Sequence, residues 1–241
     1  MNLKKIKFEE KELRELAENY FMNAGGFDST KSKHRRMIDR AMAVREECFF
    51  GHTINSHIKI LDKCTFQSGE IVLDGGKITG NCLRNISDQN VLMMYVYIIT
   101  VGHVEYEQYD SIVDQLHADM WGTAYVDAGR DMLEKYISEE VNKKFPGKLN
   151  ESIYLSQGLS PGFYGIPPQS SVPIKVITKA EQLGIDVREN GVMIPIKTCS
   201  GIHMVVNDKN ELPKMSCVNC IGNTKSCMLC RMRNEDMEVR I

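Results

Sequence analysis

An α+β domain on a mixed or antiparallel sheet is predicted by three features of this chain. Short apolar strands fall in two groups, residues 58–101 and 192–206, instead of alternating regularly with helices. Helical periodicity fills the N-terminal stretch and the middle of the chain. The longest apolar run, VLMMYVYIITV at residues 91–101, is too short to cross a bilayer as a helix and reads as a buried strand.

The elements follow in order. Residues 9–24 place Leu13, Leu16 and Tyr20 on one helical face, and Gly25-Gly26 is a stop signal. A cap at Asp28 or Ser29 opens a second helix to about Phe49, with Met37, Ile38, Ala41 and Val44 as its apolar stripe. Residues 1–50 are thus the helical N-terminal part of one domain, 1–212. The period then changes. Ile58, Ile60 and Leu61 suggest a strand, residues 70–73 another, and Asp74-Gly75-Gly76 a tight turn. A short helix is expected over residues 79–86, ahead of the buried strand. Residues 103–144 read as a long helical region broken near Tyr109. Its small residues Gly122, Thr123, Ala124 and Ala128 let it lie close against a sheet or another helix. Ser170 or Ser171 caps a further helix with Pro173 in its first turn, lined by Ile174, Ile177, Ala180 and Leu183 and ended by Gly184. Residues 192–196 and 202–206 read as two more strands, joined by KTCSG.

Between these helices lies LSPGFYGIPPQSS, residues 159–171. Pro161, Pro167 and Pro168 pin φ, while Gly162 and Gly165 open backbone conformations closed to other residues. Glycines beside Phe163 and Tyr164 also let a ligand approach the main chain closely.

Composition excludes several classes. A formal net charge of -2 argues against a general polyanion binder, so no nucleic acid is expected. The charged N-terminal stretch MNLKKIKFEEKELRE has no apolar core and is no signal peptide, so a cytoplasmic, non-membrane protein is expected. Eight cysteines in that setting point to metal or thiol chemistry rather than disulfides. Four of them form the tail 213–241: Cys217, Cys220, Cys227 and Cys230 make two C-x2-C pairs. Four thiolates at this spacing suit a tetrahedral zinc or the corners of an iron–sulfur cluster. No Walker loop, dinucleotide fingerprint or nucleophile elbow is present, and no residue stands out as catalytic. The six histidines show no ligand spacing with one another, and Cys48, Cys64, Cys82 and Cys199 are scattered.

Four blocks carry a family resemblance. GKITGNCLRNISDQNVLMMYVYIITVG (76–102), ADMWGTAYVDAGRDMLEKYI (118–137), LSPGFYGIPP and VMIPIKTCSGI (192–202) resemble, in order and spacing, the reactivation domain of cobalamin-dependent methionine synthase and its stand-alone relatives. The resemblance implies a single helmet-like α+β domain with a twisted, mainly antiparallel sheet and flanking helices. It also implies S-adenosylmethionine as ligand. The implied task is reductive methylation of an oxidised corrinoid carried by a partner methionine synthase or corrinoid methyltransferase, with a flavodoxin or ferredoxin as electron donor. At this length the cobalamin is expected on the partner.

Carried over by position, the family's R-x-x-x-G-Y motif spans Gly158, Leu159, Ser160, Pro161, Gly162 and Phe163. The arginine is replaced by Gly158 and the tyrosine by Phe163, with Tyr164 adjacent. The acidic residue of the preceding helix matches Thr123, with Asp127 one turn on, and Ser200 and Gly201 match a late S-G turn. The implied ligand site is therefore Asp127, Ser160, Pro161, Gly162, Phe163, Tyr164, Ser200 and Gly201. Two readings stand beside it: an electron-transfer or docking protein of the same fold without S-adenosylmethionine, its tail holding an iron–sulfur cluster, and an adaptor with a zinc-stapled tail.

Overall fold

The computed structural model describes residues 3–105 and 109–213. The charged N-terminal stretch opens with a strand, β1 (Leu3–Glu9), that helical reading of the sequence overlooks. Its alternation is disguised by lysine: Lys4, Ile6 and Phe8 share one face, and the Lys4 ammonium reaches Tyr136 and Glu140. Glu9 then starts α1 (Glu10–Gly25) with a capping box closed by Glu12, and Gly26 ends it in the left-handed region. The next helix, α2 (Ser32–Phe49), begins after Lys31 rather than at Asp28, because Asp28 spends its carboxylate on the Thr30 N–H and hydroxyl. Of its expected stripe Ala41 and Val44 are buried, with Phe49, whereas Met37 is exposed.

β2 (Thr53–Asp62) pairs antiparallel with β1. The strands β3 (Phe66–Gln67), β4 (Glu70–Leu73) and β5 (Gly76–Thr79) form a small antiparallel sheet around the expected Asp74–Gly76 turn. The helix expected over 79–86 is only a 3-10 turn at Asn81–Leu83, since β5 claims Thr79 for its ladder. Next comes β6 (Val91–Thr100), the centre of the main sheet, and then the 33-residue α3 (Ile112–Lys144), whose Ser111 cap accepts from the Asp114 N–H. The remaining elements are β7 (Tyr154–Leu155), α4 (Ser171–Thr178), β8 (Asp186–Val187), β9 (Met193–Ile194) and β10 (Thr198–Val206). α4 stops earlier than its apolar pattern suggests: Lys179 turns left-handed, and Ala180–Leu183 continues as a 3-10 turn.

The main sheet runs β1-β2-β6-β10-β7, with every pairing antiparallel. Helices α1, α2 and α3 cover one face, over Tyr95, Tyr97, Ile99, Phe21 and Trp121. The small sheet and α4 cover the other, over Met94, Val96, Ile174, Ile202 and Met204. Because both faces are covered, β6 is apolar at successive positions rather than alternating. The small residues of α3 allow its close approach. A methyl on Gly129 would stand 2.8 Å from Ile99 Cδ1, and one on Gly122 would stand 2.9 Å from the Lys197 stem. Where α1 meets α3, burial pushes the Glu10 carboxyl up, but hydrogen bonds from Arg14 and Tyr125 outweigh this and hold it below its usual range. Among the described residues no helix is long and apolar enough to cross a membrane.

Candidate functional site

The loop after β7 is hung on the edge of β10. Leu159 and Ile202 exchange both backbone hydrogen bonds, at 2.8 and 2.9 Å. Strand alternation then separates their neighbours: Leu159 packs with Ile202 in one core, while Gly158 faces Tyr97 and His203 on the α3 side. Beyond Ser160 the chain coils tightly. The Gly162 N–H bonds to the Ile166 carbonyl and the Phe163 N–H to the Ser160 carbonyl. Gly162 (φ 89°), Tyr164 (φ 55°) and Gly165 (φ 79°) all adopt the left-handed region. For Tyr164 that geometry carries strain of about 1 kcal/mol or more. Beyond its chain neighbours, no atom lies within 4 Å of where a Gly162 side chain would start, so that side of the residue is open. Phe163 is exposed, and Tyr164 packs against the core on the small-sheet side.

The α3 side of the same edge holds a buried polar cluster that sequence reading missed. Tyr97 is fully buried and lies opposite Gly201 in the ladder; a Gly201 Cβ would sit only 2.6 Å from the Tyr97 Oη. Gly201 is glycine because the phenol occupies its side-chain space, not because the chain turns there. His203, two residues on and also buried, stacks obliquely on Tyr97 at 5.5 Å between ring centroids. Its Nδ1 lies 3.0 Å from the Ser156 carbonyl, which assigns the proton to Nδ1 and leaves Nε2 as an acceptor. Burial holds the Tyr97 phenol protonated, so its hydroxyl is available as a donor. Neither Tyr97 Oη nor His203 Nε2 makes a full hydrogen bond among the described residues, though the Ser160 hydroxyl lies close to the phenol, and both atoms border Gly158, 3.2 and 3.4 Å from where its Cβ would be.

Helix α3 closes the cluster. Arg130 pairs with Asp127 at 2.9 Å, and its charge is felt by Tyr97, Cys199 and His203. Burial works against that charge, the adjacent Asp127 carboxylate favours it, and the guanidinium stays charged. The Cys199 thiol is pushed by burial up to about 11 and is not a thiolate at neutral pH.

Burial lowers the His203 imidazole to about 4, against 6.5 when solvated. Above the solvated value the ring is neutral in both states and its contribution is intact. Between pH 6.5 and 4 the unfolded chain takes a proton that the folded site refuses, so stability falls by roughly 3 kcal/mol and then levels off. Urea unfolding at about pH 7 and about pH 4.5 should show this slope in the wild type and a flatter one in His203→Gln. Identical slopes in the two proteins would mean that the imidazole is not desolvated.

The predicted residues are thus divided. Ser160, Pro161, Gly162, Phe163 and Tyr164 form one loop, with Ser160 beside the Tyr97 hydroxyl. Asp127 and Gly201 lie on the α3 side. Ser200 does not join them: it is opposite Ile98, which packs with Ala180, Ile185 and Val187 on the other face. The S-G pair is mid-strand in β10 rather than a turn, so its two residues point to opposite sides of the sheet. Thr123 instead accepts from the Lys197 ammonium, which also pairs with Asp119, beside a separate cavity of about 280 Å³ lined by Gly102, His103, Arg188 and Pro195. Cys217, Cys220, Cys227 and Cys230 lie outside the described residues. Within the described residues no three His, Cys, Asp or Glu side chains gather as metal ligands.

No protein-family model and no curated protein matches the sequence. Among solved structures, the chain is similar to the crystal structure of the MetH reactivation domain bound to AdoHcy, with a TM-score of 0.59 and 12% identity, over 87% of this chain and 80% of that one. At that identity the likeness is one of architecture, and this chain has the fold of that reactivation domain.

Proposed function

We propose that this chain binds S-adenosylmethionine at the β10 edge and supports the reductive methylation of an oxidised corrinoid held by a partner protein. The observation that carries the reading is the convergence of Tyr97 Oη and His203 Nε2 on the space beside Gly158. Two buried polar atoms without a full hydrogen bond are costly unless a polar ligand or water completes them. They lie on a fold shared with a domain solved with AdoHcy.

The fit is one of donors and space. Gly162 leaves open space where a side chain would start, Ser160 and Tyr97 carry hydroxyls, and the Asp127–Arg130 ion pair lies on the α3 side. A Cβ at position 158 would stand 3.2 Å from the Tyr97 hydroxyl and 3.4 Å from the His203 ring, so a side chain there would crowd both. The sulfonium would supply the methyl group and the partner's corrinoid the acceptor, with a flavodoxin or ferredoxin as electron source. This chain's residues bind and orient the ligand.

Calorimetry tests the reading directly. Titration with S-adenosylmethionine should give saturable heat at one site per chain, and ligand at about 100 times Kd should stabilise the fold by about 2.7 kcal/mol. Absence of both heat and thermal shift at millimolar ligand rules the function out.

A further inference from the structure

We propose that a second cavity, on the opposite face of the main sheet from Tyr97 and His203, binds a small hydroxylated phosphate monoester, the chemistry of a sugar phosphate. The cavity has a volume of about 380 Å³, and its lining includes Lys5, Lys7, Asn55, His57, Gln182 and Leu183. That is room for a small organic molecule rather than for an ion alone. Strand register builds it. Lys5 lies opposite His57 and Lys7 opposite Asn55 in the β1–β2 ladder, and directly opposed residues share a face, so four polar side chains border one space. The 3-10 turn Ala180–Leu183 adds Gln182 and Leu183.

His57 makes this more than a strip of surface lysines. It is only 1% exposed, and its Nδ1 lies 2.7 Å from the Thr178 carbonyl at the end of α4. That contact assigns the proton to Nδ1 and leaves a lone pair on Nε2, which makes no hydrogen bond among the described residues. Nε2 is therefore the polar atom that the ring can offer to a ligand in the cavity it lines. Charge narrows the ligand further. On the helix face of β1, Lys4 is paired with Glu140. Lys5 and Lys7, on the cavity face, form no ion pair among the described residues, and no carboxylate side chain lines the cavity. Their Cα atoms are about 7 Å apart, so both ammoniums can reach one group. A phosphate monoester carries roughly two negative charges near neutral pH and matches both, whereas a carboxylate would leave one ammonium unmatched. A hydroxyl beside the phosphate donates to His57 Nε2. Lysines on an edge strand also deter pairing with other strands, but that task needs neither a buried imidazole nor a cavity.

Calorimetry on the intact chain tests the site with three probes. Ribose 5-phosphate carries charge and hydroxyls, methyl phosphate the charge without a hydroxyl, and ribose the hydroxyls without the charge. Ribose 5-phosphate should bind at one site per chain, about tenfold more tightly than methyl phosphate, and ribose should give no saturable heat. Lys5→Gln and Lys7→Gln should each weaken ribose 5-phosphate about tenfold, and Lys4→Gln, on the opposite face, by less than about twofold. His57→Asn keeps a donor for the Thr178 carbonyl and removes Nε2, so it should bring ribose 5-phosphate down to the affinity of methyl phosphate. Unchanged affinity in folded Lys5→Gln and Lys7→Gln overturns the site, as does the absence of saturable heat from ribose 5-phosphate at millimolar concentration. Should His57→Asn fail to fold, equal wild-type affinity for ribose 5-phosphate and methyl phosphate overturns the proposed ligand by itself. None of these outcomes depends on S-adenosylmethionine, so this site stands or falls separately from the function proposed above.

Discussion

Gly201→Ala is expected to lower stability by about 2–3 kcal/mol, a large loss for the addition of one methyl group. The new Cβ would stand 2.6 Å from Tyr97 Oη, 2.8 Å from Cζ and 2.9 Å from Cε1. The phenol cannot swing aside, because Tyr97 is fully buried and its ring lies against His203. Tyr97→Phe in the same background should restore only part of the loss, since the two ring-carbon contacts remain. Gly158→Ala, whose Cβ would meet Oη at 3.2 Å, should cost clearly less. Urea midpoints followed by tryptophan fluorescence measure all three. A Gly201→Ala midpoint equal to wild type would show that the strand and the phenol are not packed as described.

Trp121→Ala should cost about 3–5 kcal/mol, on the order of 10 °C in melting temperature for a chain of this size. Trp121 is the sole tryptophan, fully buried where α3 crosses α1 and α2. Its ring stacks on Phe21 at 4.0 Å with 10° between planes, and Arg45 lies 5.3 Å over its face. The indole N–H donates to the Ala41 carbonyl at 2.7 Å. Trp121→Phe keeps most of the volume and loses the hydrogen bond, so it should lie between, about 1–2 kcal/mol below wild type. Circular dichroism is the suitable probe, since the variants lose the fluorophore. A drop of under about 1 kcal/mol in Trp121→Ala would mean that the three-helix layer is not the main source of cohesion on that face.

Much of this architecture was legible in the residues alone. The run from Val91 to Val101 reads as a buried strand, since it is apolar at almost every position and too short for a membrane helix, and β6 is that strand. Gly122, Ala124 and Ala128 announced a helix that packs closely, and α3 does. The Pro/Gly loop was readable as an irregular, backbone-presenting segment because φ restriction and φ freedom are properties of single residues. Local chemistry misled where two local rules compete. Lysines hid the strand pattern of β1, and Gly201 imitated a turn.

Sequence by itself determined the loop from Ser160 to Gly165, the covered central strand and the long helix, because each follows from periodicity or from the conformational limits of individual residues. Only the tertiary structure decided that Tyr97, Gly158, Arg130, Cys199, Gly201 and His203 meet, and that Ser200 does not. Those residues come from two strands, a helix and a loop, and their meeting depends on strand register. A shift of one residue in the pairing of β6 with β10 would turn every one of their sheet side chains to the opposite face.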